Sequence, residues 1–180
     1  MKKNVKVSEL DQINLHIIRK NVKKIIKEIS IKYDKLNYKI LDIAPQDHEN
    51  SKKIFKNATL KTLDINPLSN ADFIADICND NSNLIKSNHF DLVICTEVLE
   101  HTLNPFSATQ EIYRILKRGG AALISTPCNF RIHGPLPDCW RFTEHGLNEL
   151  LKKFSRVKIS EKATKNRPLF PVHYTVVAIK

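Results

Sequence analysis

The chain has 180 residues, of which 42% are hydrophobic and 27% are charged, and its formal net charge is +10. This length allows one hydrophobic core and is too short for two ordinary domains, so a single domain over residues 1–180 is predicted. The composition excludes a low-complexity chain, and no apolar run approaches the roughly 18 residues of a membrane span.

The cysteines and the first residues both favour a cytoplasmic protein. No C-x-x-C pair is present, and reduced, mostly buried thiols are expected at Cys78, Cys95, Cys128 and Cys139. Cys128, His133 and Cys139 are residue types that bind zinc, but their spacing matches no standard zinc pattern, so no metal site is predicted. The basic residues at positions 2 and 3 precede no apolar segment, which argues against a secretory signal.

The first predicted element is an amphipathic helix over residues 8–32, with Ser8 as its N-cap and Asp11 three residues on. Its apolar residues recur at helical spacing: Leu10, Ile13, Ile17, Val22, Ile25, Ile26 and Ile29. Residues 1–40 carry eleven Lys/Arg and four Asp/Glu, a local charge of +7. A solvated helix face explains this charge, and so does a patch for an anionic partner.

Residues 36–180 predict an α/β core. Short apolar runs are typical of strands at 38–44, 60–65, 71–77, 90–96 and 121–126. Helices are predicted at 46–57, 80–87 and 105–118. The last of these begins after Asn104, ends at Gly119, and buries Phe106, Ile112, Ile115 and Leu116. Apolar strands that alternate with helices indicate a mostly parallel sheet covered on both faces, a three-layer, Rossmann-like sandwich.

The C-terminal end breaks this alternation. Thr143 caps a predicted helix, and strands follow at 156–162 and 172–180. The few residues between these strands are too short for a parallel crossover, so the two are predicted to be antiparallel neighbours in a seven-stranded sheet.

Acidic residues stand at the ends of the predicted parallel strands, where open α/β sheets bind ligands. Asp42 ends the first strand, Asp64 the second, Asp76 the third, and Thr96-Glu97 the fourth. An acid about 20 residues past the first turn can accept hydrogen bonds from a ribose diol. Alone, Asp64 is better explained as the start of a turn, but in series with Asp42 and Asp76 the ribose role is favoured.

The segments "ILDIAPQ", "TLDINP", "ADIC", "FDLVICTEVLEHTLNP" and "EIYRILKRGGAALISTP" resemble those of class I S-adenosylmethionine-dependent methyltransferases. The resemblance covers roughly residues 36–180. The segment "HGPLPDCWRFTEHGLNELL" is similar to a narrower set of these enzymes, associated with glycan or cell-surface polysaccharide modification.

This resemblance implies S-adenosylmethionine as the cofactor and assigns its contacts along the strand ends. The turn after Asp42 would pass the methionine part of the cofactor, at Ala44, Pro45 and Gln46. The nucleoside part would contact Asp64 through the ribose, with Ile65 beside the adenine, Asp76 at the adenine amino group and Ile77 on the ring. Thr96 and Glu97 would line the space between cofactor and acceptor.

The first turn departs from the pattern of the family, which is acidic-x-Gly-x-Gly. The chain has Asp42, Ala44 and Gln46 at those positions, with Pro45 stiffening the turn. The cofactor has no pyrophosphate, so the demand for glycine is weaker than in a dinucleotide site, and Gln46 could donate its amide to the cofactor carboxylate. The alternative is a closed loop in a catalytically inactive binding module.

Candidate acceptor-side residues follow the fourth and fifth strands. A hydroxyl acceptor needs a base, and the candidates are His101 and His133, each of which could instead be a packing or loop residue. The predicted substrate contacts are Trp140, which could stack on a ring, and Arg131 and Arg141, which could hold a carboxylate or phosphate. The structural alternative is that Trp140 anchors the loop and Arg141 forms an ion pair.

The predicted function is O- or N-methylation of a small-molecule or glycan acceptor. A nicotinamide-dependent reductase is disfavoured because the G-x-G-x-x-G turn is absent. A nucleic-acid methyltransferase is favoured by the basic N-terminal segment, but "CTEV" stands where the usual base-modifying subclasses carry an NPPY-like or Pro-Cys motif.

Overall fold

A seven-stranded sheet covered by helices forms the body of the protein in the computed structural model, which describes residues 7–45, 48–164 and 166–180. The strands are β1 (Lys39–Ile43), β2 (Thr59–Asp64), β3 (Phe73–Ile74), β4 (Phe90–Thr96), β5 (Leu116–Pro127), β6 (Arg156–Thr164) and β7 (Arg167–Ile179). The helices are α1 (Glu9–Tyr33), α2 (His48–Ile54), α3 (Pro105–Ile115) and α4 (Glu144–Leu150), and a 3₁₀ turn spans Leu99–His101.

The strand order is β3-β2-β1-β4-β5-β7-β6. The first five of these strands pair in parallel, whereas β7 runs antiparallel to both β5 and β6. The predicted three-layer sandwich with an antiparallel last strand is therefore confirmed. Strand order reverses between β1 and β4, so the carboxyl ends of these two strands flank the switch point at which such sheets bind ligands.

Strand residues alternate between two cores. Leu41, Val93 and Ile124 face one side, where they pack with residues of α3 and α4. Their neighbours Ile40 and Leu92 face the other side and join a cluster with residues of α1. This burial on both faces explains why the central strands are apolar at nearly every position.

The N-terminal helix packs on the second face of the sheet. Ser8 caps it as predicted, accepting a 3.1 Å hydrogen bond from the amide of Asp11. Ile18 is its most deeply buried apolar residue in the first turns, whereas Leu10 and Ile13 are exposed. The predicted apolar face is therefore in contact with the sheet only from the middle of the helix onward. No described helix is long and apolar enough to cross a membrane.

The predicted helix at 80–87 and the predicted length of the third strand, 71–77, are both wrong. In each case a side chain takes a hydrogen bond that the backbone would otherwise make. The segment 80–87 forms turns, not a helix: Asn81 donates through its amide to the carbonyls of Asp76 and Asn79, which holds it in a turn. The third strand is two residues long because the Asp72 carboxylate, instead of backbone, accepts from the amide of Thr62 at 2.9 Å.

The predicted end of the helix after Asn104 is also wrong. Helix α3 begins at Pro105 with an Asn104 cap but ends at Ile115, because Leu116 already pairs with Phe90 of β4. Gly119, with φ of +76°, lies within the next strand and not at a helix end. Phe106, predicted to be buried, is half exposed.

Gly120→Ala is expected to destabilise the protein by about 1–3 kcal/mol through overpacking. An added Cβ would lie 2.9 Å from the carbonyl oxygen of Lys117 and 3.1 Å from that of Asp91, and backbone atoms cannot easily move away. Gly146→Ala is the matched control: its Cβ meets only Thr143 Oγ1 at 3.7 Å, so the variant should gain up to roughly 1 kcal/mol from helix propensity. Urea unfolding measures both, and changes of the same sign would contradict the packing described for Gly120.

Candidate functional site

A cavity of about 550 Å³ lies between α1 and the carboxyl ends of β1 and β4. The sheet side of its wall includes four predicted cofactor residues, Asp42, Pro45, Thr96 and Glu97. His133 and Phe130 close one side, and residues of α1 and α2 form the rest of the wall. The volume is within the usual range for small-molecule sites, roughly 300–1,000 Å³.

The turn after β1 takes a glycine-like conformation without glycine. Ala44 has φ of +47°, and its amide donates to the carbonyl of Leu63 at 2.7 Å. This left-handed conformation costs an alanine roughly 1 kcal/mol. The residue that replaces the first glycine of the family pattern therefore has a backbone conformation that favours glycine, and Pro45 beside it borders the open cavity. Gln46 lies outside the described residues.

Asp42 is a buried carboxyl group at the floor of the cavity. The hydroxyl of Ser51, from α2, donates to Asp42 Oδ2. Burial raises the pKa of Asp42 to about 6, and the Ser51 hydrogen bond opposes this rise only in part. The charge of this group therefore changes within a narrow interval just below neutral pH.

Glu97 has a strained backbone, and one of its two carboxylate oxygens is held by hydrogen bonds. It follows β4 with φ of +55°, a conformation that non-glycine residues keep mainly where surrounding contacts enforce it. Its Oε1 accepts from Ser125 Oγ at 2.7 Å and from His173 Nε2 at 2.6 Å. His173 is completely buried, and its Nδ1 accepts from Asn21 of α1 at 3.0 Å. This chain of contacts ties α1 to the strand ends.

The residues predicted to hold a nucleoside lie beside the cavity, not in its wall. The amide of Ala75 donates to the carbonyl of Asp64 at 2.9 Å, which sets the ends of β2 and β3 side by side. Asp64 and Asp76 each accept a 2.8 Å hydrogen bond from the amide two residues on, through Oδ1. Ile65 is 65% exposed next to Asp64, whereas Ile77 is buried in the core.

The two predicted base candidates lie together but differ in access. The rings of His101 and His133 are 4.8 Å apart, edge to face. His133 borders the cavity, whereas His101 lies outside its wall and its Nδ1 is 2.9 Å from the carbonyl of Pro137. The imidazole Nε2 atoms of both residues lie 3.9 Å from Glu100 Oε1.

Glu100 is the most unusual residue near the site. Its side chain has no exposed surface, and neither carboxylate oxygen has a hydrogen-bond partner among the described residues. Burial raises the pKa of Glu100 well above its ordinary value, and the negative charge of Glu97 raises it further. A buried carboxylate without a partner is costly, so this group calls for an explanation.

The loop that carries the predicted substrate residues is held by its own side chains. Arg141 binds Asp138 through two hydrogen bonds of 2.6 and 2.7 Å, and this pairing keeps the pKa of Asp138 well below its usual range. The indole of Trp140 donates to the carbonyl of Thr102 at 2.8 Å. Arg131 lies 4.0 Å from Asp11 of α1. This geometry gives Trp140 and Arg141 structural contacts, and a substrate role for the three residues stays a prediction.

Three polar residues of the site were missed by sequence reasoning: Ser51, Glu100 and His173. Glu100 stands within "EVLEH", three residues after Glu97, but its burial depends on a distant loop, because its carbonyl accepts from the amides of Cys139 and Trp140. All four cysteines are free, and Cys128 and Cys139 do not join His133 in a group with metal-ligand spacing within the described ranges.

Comparison with protein families supports the predicted resemblance. The family model described as "Methyltransferase domain" matches residues 25–124, which is more than half of the chain. A search of the curated proteins finds no match.

Solved structures of methyltransferases share the fold at low sequence identity. A SAM-dependent methyltransferase from Archaeoglobus fulgidus is 19% identical with a TM-score of 0.64, covering 88% of this chain and 94% of that chain. One from Methanosarcina mazei is 15% identical with a TM-score of 0.60, covering 84% and 96%. The phosphoethanolamine N-methyltransferase 2 of Haemonchus contortus, in complex with S-adenosyl-L-methionine, is 15% identical with a TM-score of 0.60, covering 81% and 49%.

The stability of the protein should fall between about pH 4 and pH 6 because of Asp42. The folded pKa is about 6 and the unfolded value is 3.8, so the native state binds more protons in this interval and loses relative stability as pH rises. The full loss is about 3 kcal/mol at neutral pH. Asp42→Asn should remove this loss of stability with rising pH, whereas Asp80→Asn, at an exposed turn, should keep it. Urea unfolding at several pH values tests this, and an unchanged pH dependence in Asp42→Asn would contradict it.

Proposed function

This chain belongs to the methyltransferase-domain family and is an S-adenosylmethionine-dependent enzyme, and we propose that it methylates a small-molecule or glycan acceptor held in the cavity beside Glu97. The observation that carries the proposal is the cavity itself, which is open at the sheet's switch point and borders both Asp42 and His133. A pocket closed by its glycine-free turn would leave no such space.

The residues around the first turn suit the cofactor. Ala44 has a left-handed backbone conformation that favours glycine, and the charged form of Asp42 would attract the ammonium and sulfonium groups of the methionine end. Asp64 accepts one turn hydrogen bond through Oδ1, and among the described residues its Oδ2 has no such donor, so that oxygen is left for a ribose hydroxyl. We assign Asp76 and Ile77 to the adenine side. When bound, the cofactor supplies an electrophilic methyl group on a sulfonium.

The remaining wall of the cavity indicates a small acceptor with an anionic group. Helix α1 covers the cavity, so the acceptor must fit beneath it. The helix contributes apolar residues to the wall, Ile18, Val22 and Ile26, and places basic residues beside them, Arg19, Lys23 and Lys27. An acceptor such as a sugar phosphate or a uronic acid would bring a carboxylate or phosphate to these cations. The charge concentrated in residues 1–40 thus lies partly at the cavity.

The chain contributes orientation, exclusion of water and proton removal. A cofactor and an acceptor bound between α1 and the strand ends would be held in line and would displace water from the cavity. Two side chains at the wall could take a proton from an acceptor hydroxyl, His133 and Glu97. Glu97 Oε1 is already engaged by Ser125 and His173, so His133 is the better placed acceptor. His101, outside the wall, orients the segment behind it.

Asp64→Asn should weaken binding of S-adenosylmethionine roughly 10- to 100-fold, because charge-assisted hydrogen bonds to the ribose diol are lost. Asp80→Asn is the matched control, since Asp80 accepts the same kind of turn hydrogen bond, from Ser82, in an exposed turn. Calorimetric titration with S-adenosylmethionine and S-adenosylhomocysteine measures both. An unchanged affinity in Asp64→Asn would refute the ribose assignment, and no binding by folded wild-type protein at millimolar ligand would refute the proposed function.

His133→Gln should lower kcat roughly 10²- to 10⁴-fold with little change in cofactor affinity, because proton removal from the acceptor is lost. The control is His145→Gln, on the exposed face of α4. Transfer of a radiolabelled methyl group to sugar phosphates, uronic acids and neutral sugars measures the rates and the acceptor class. Equal rates for charged and neutral acceptors would contradict the anionic preference.

A further inference from the structure

Three side chains converge on one point behind the cavity wall: Glu100, His101 and His133. One ligand atom of each lies within 4.8 Å of the other two, and both imidazole Nε2 atoms are 3.9 Å from Glu100 Oε1. Ligands bonded at roughly 2.0–2.2 Å to one ion are about 3.0–3.5 Å apart. Each Glu100–histidine distance would therefore shorten by about 0.4–0.9 Å around an ion, and the widest separation, up to 4.8 Å, would shorten by about 1.3 Å or more, which side-chain rotation can supply.

The second nitrogen of each histidine is already positioned by the surrounding loop. His101 Nδ1 lies 2.9 Å from the carbonyl of Pro137, to which its N–H donates, and this leaves the lone pair on Nε2. His133 Nδ1 lies 3.1 Å from Asp138 Oδ2, an ion-pair distance without the alignment of a hydrogen bond. Metal-bound histidines commonly face a carbonyl or carboxylate with the nitrogen that does not bind the metal.

The unpartnered carboxylate of Glu100 points independently to a missing cation. Both of its oxygens are buried and lack hydrogen-bond partners among the described residues, so it is explained neither as a hydrogen-bonded acid nor as an accepting carboxylate. Arg141, the nearby guanidinium, is engaged by Asp138. A cation at the point shared with His101 and His133 would satisfy this buried charge.

We propose that Glu100, His101 and His133 form a binding site for one divalent transition-metal ion. Two imidazoles and one carboxylate suit Zn²⁺, Mn²⁺ or Fe²⁺, whereas Mg²⁺ and Ca²⁺ prefer oxygen ligands. The backbone of Glu100 is held by the amides of Cys139 and Trp140, at 2.7 and 3.1 Å, so the ligands come from two segments fixed to each other.

The proposed metal site lies next to the cavity. Three protein ligands would leave coordination positions open, and His133, one of the three, borders the cavity in which the acceptor is proposed to bind. This consequence rests on the proposed function: an acceptor hydroxyl bound there would lose its proton more easily. With the ion bound, His133 would promote removal of this proton as a ligand of the ion, and the proton would pass to solvent; without the ion, His133 is the proton acceptor itself. His133→Gln loses proton removal in both cases.

Metal content is tested on the full chain, purified without a histidine tag and stripped with a chelator. The protein is dialysed against Zn²⁺ or against Mn²⁺, and bound metal is measured by mass spectrometry. Wild type and His145→Gln are expected to bind one ion per chain. Glu100→Gln and His133→Gln should bind the metal ion at least about 100-fold more weakly. Mutation of a residue that only supports a metal ligand already costs roughly 10- to 100-fold in affinity, and loss of a ligand itself should cost at least as much.

Separate measurements keep the two proposals distinguishable. Glu100→Gln should fold, because it replaces a buried charge by a neutral group of the same shape. If Glu100→Gln does not fold, His133→Gln replaces it as the test variant, because His133 is partly exposed. Glu100→Gln should still bind S-adenosylmethionine, and Asp64→Asn should still bind metal. Wild-type protein that takes up well under one ion per chain, or variants that bind metal as wild type does, would overturn the metal site whatever the outcome for the cofactor.

Discussion

The burial of negative charge at the carboxyl edge of the sheet is the constraint on which the site depends. Asp42 and Glu100 are buried where an apolar sheet ends, so each must be compensated or remain neutral, and the partly buried Glu97 lies close to them. Asp42 has a single hydroxyl donor, Glu97 has two donors, and Glu100 has none within the described part of the chain. A ligand that brings positive charge to this edge, whether a sulfonium or a metal ion, therefore relieves a cost already present in the protein.

The N-terminal helix is an integral part of the structure at this edge of the sheet. Its Asn21 meets the imidazole of His173, which in turn holds Glu97, while its apolar residues pack on the sheet. The lysines expected to form a solvated helix face include two that border the cavity, Lys23 and Lys27. One amphipathic helix thus supplies a wall, a rim of positive charge and an anchor for a strained carboxylate.

Local sequence patterns predict much of this architecture, whereas features that depend on individual side chains or on distant segments could not be predicted. Apolar runs with caps predicted the central strands and α3, since burial on both faces leaves a clear pattern. The short β3 and the turns at 80–87 depend on side chains, Asp72 and Asn81, that take over backbone hydrogen bonds. Strand ends predicted Asp42 and Glu97, but the isolation of Glu100 arises only when a loop some forty residues later folds over it.

The place of β7 has a consequence for the order in which the protein can be completed during synthesis. This last strand lies between β5 and β6, so β6 has no partner in the sheet until β7 has emerged from the ribosome. The contact between Asn21 and His173 spans 152 positions of the chain. A nascent chain that does not yet include His173 lacks the hydrogen bonds of this residue to Glu97 and Asn21, and assembly of the site therefore waits until β7 has been synthesised.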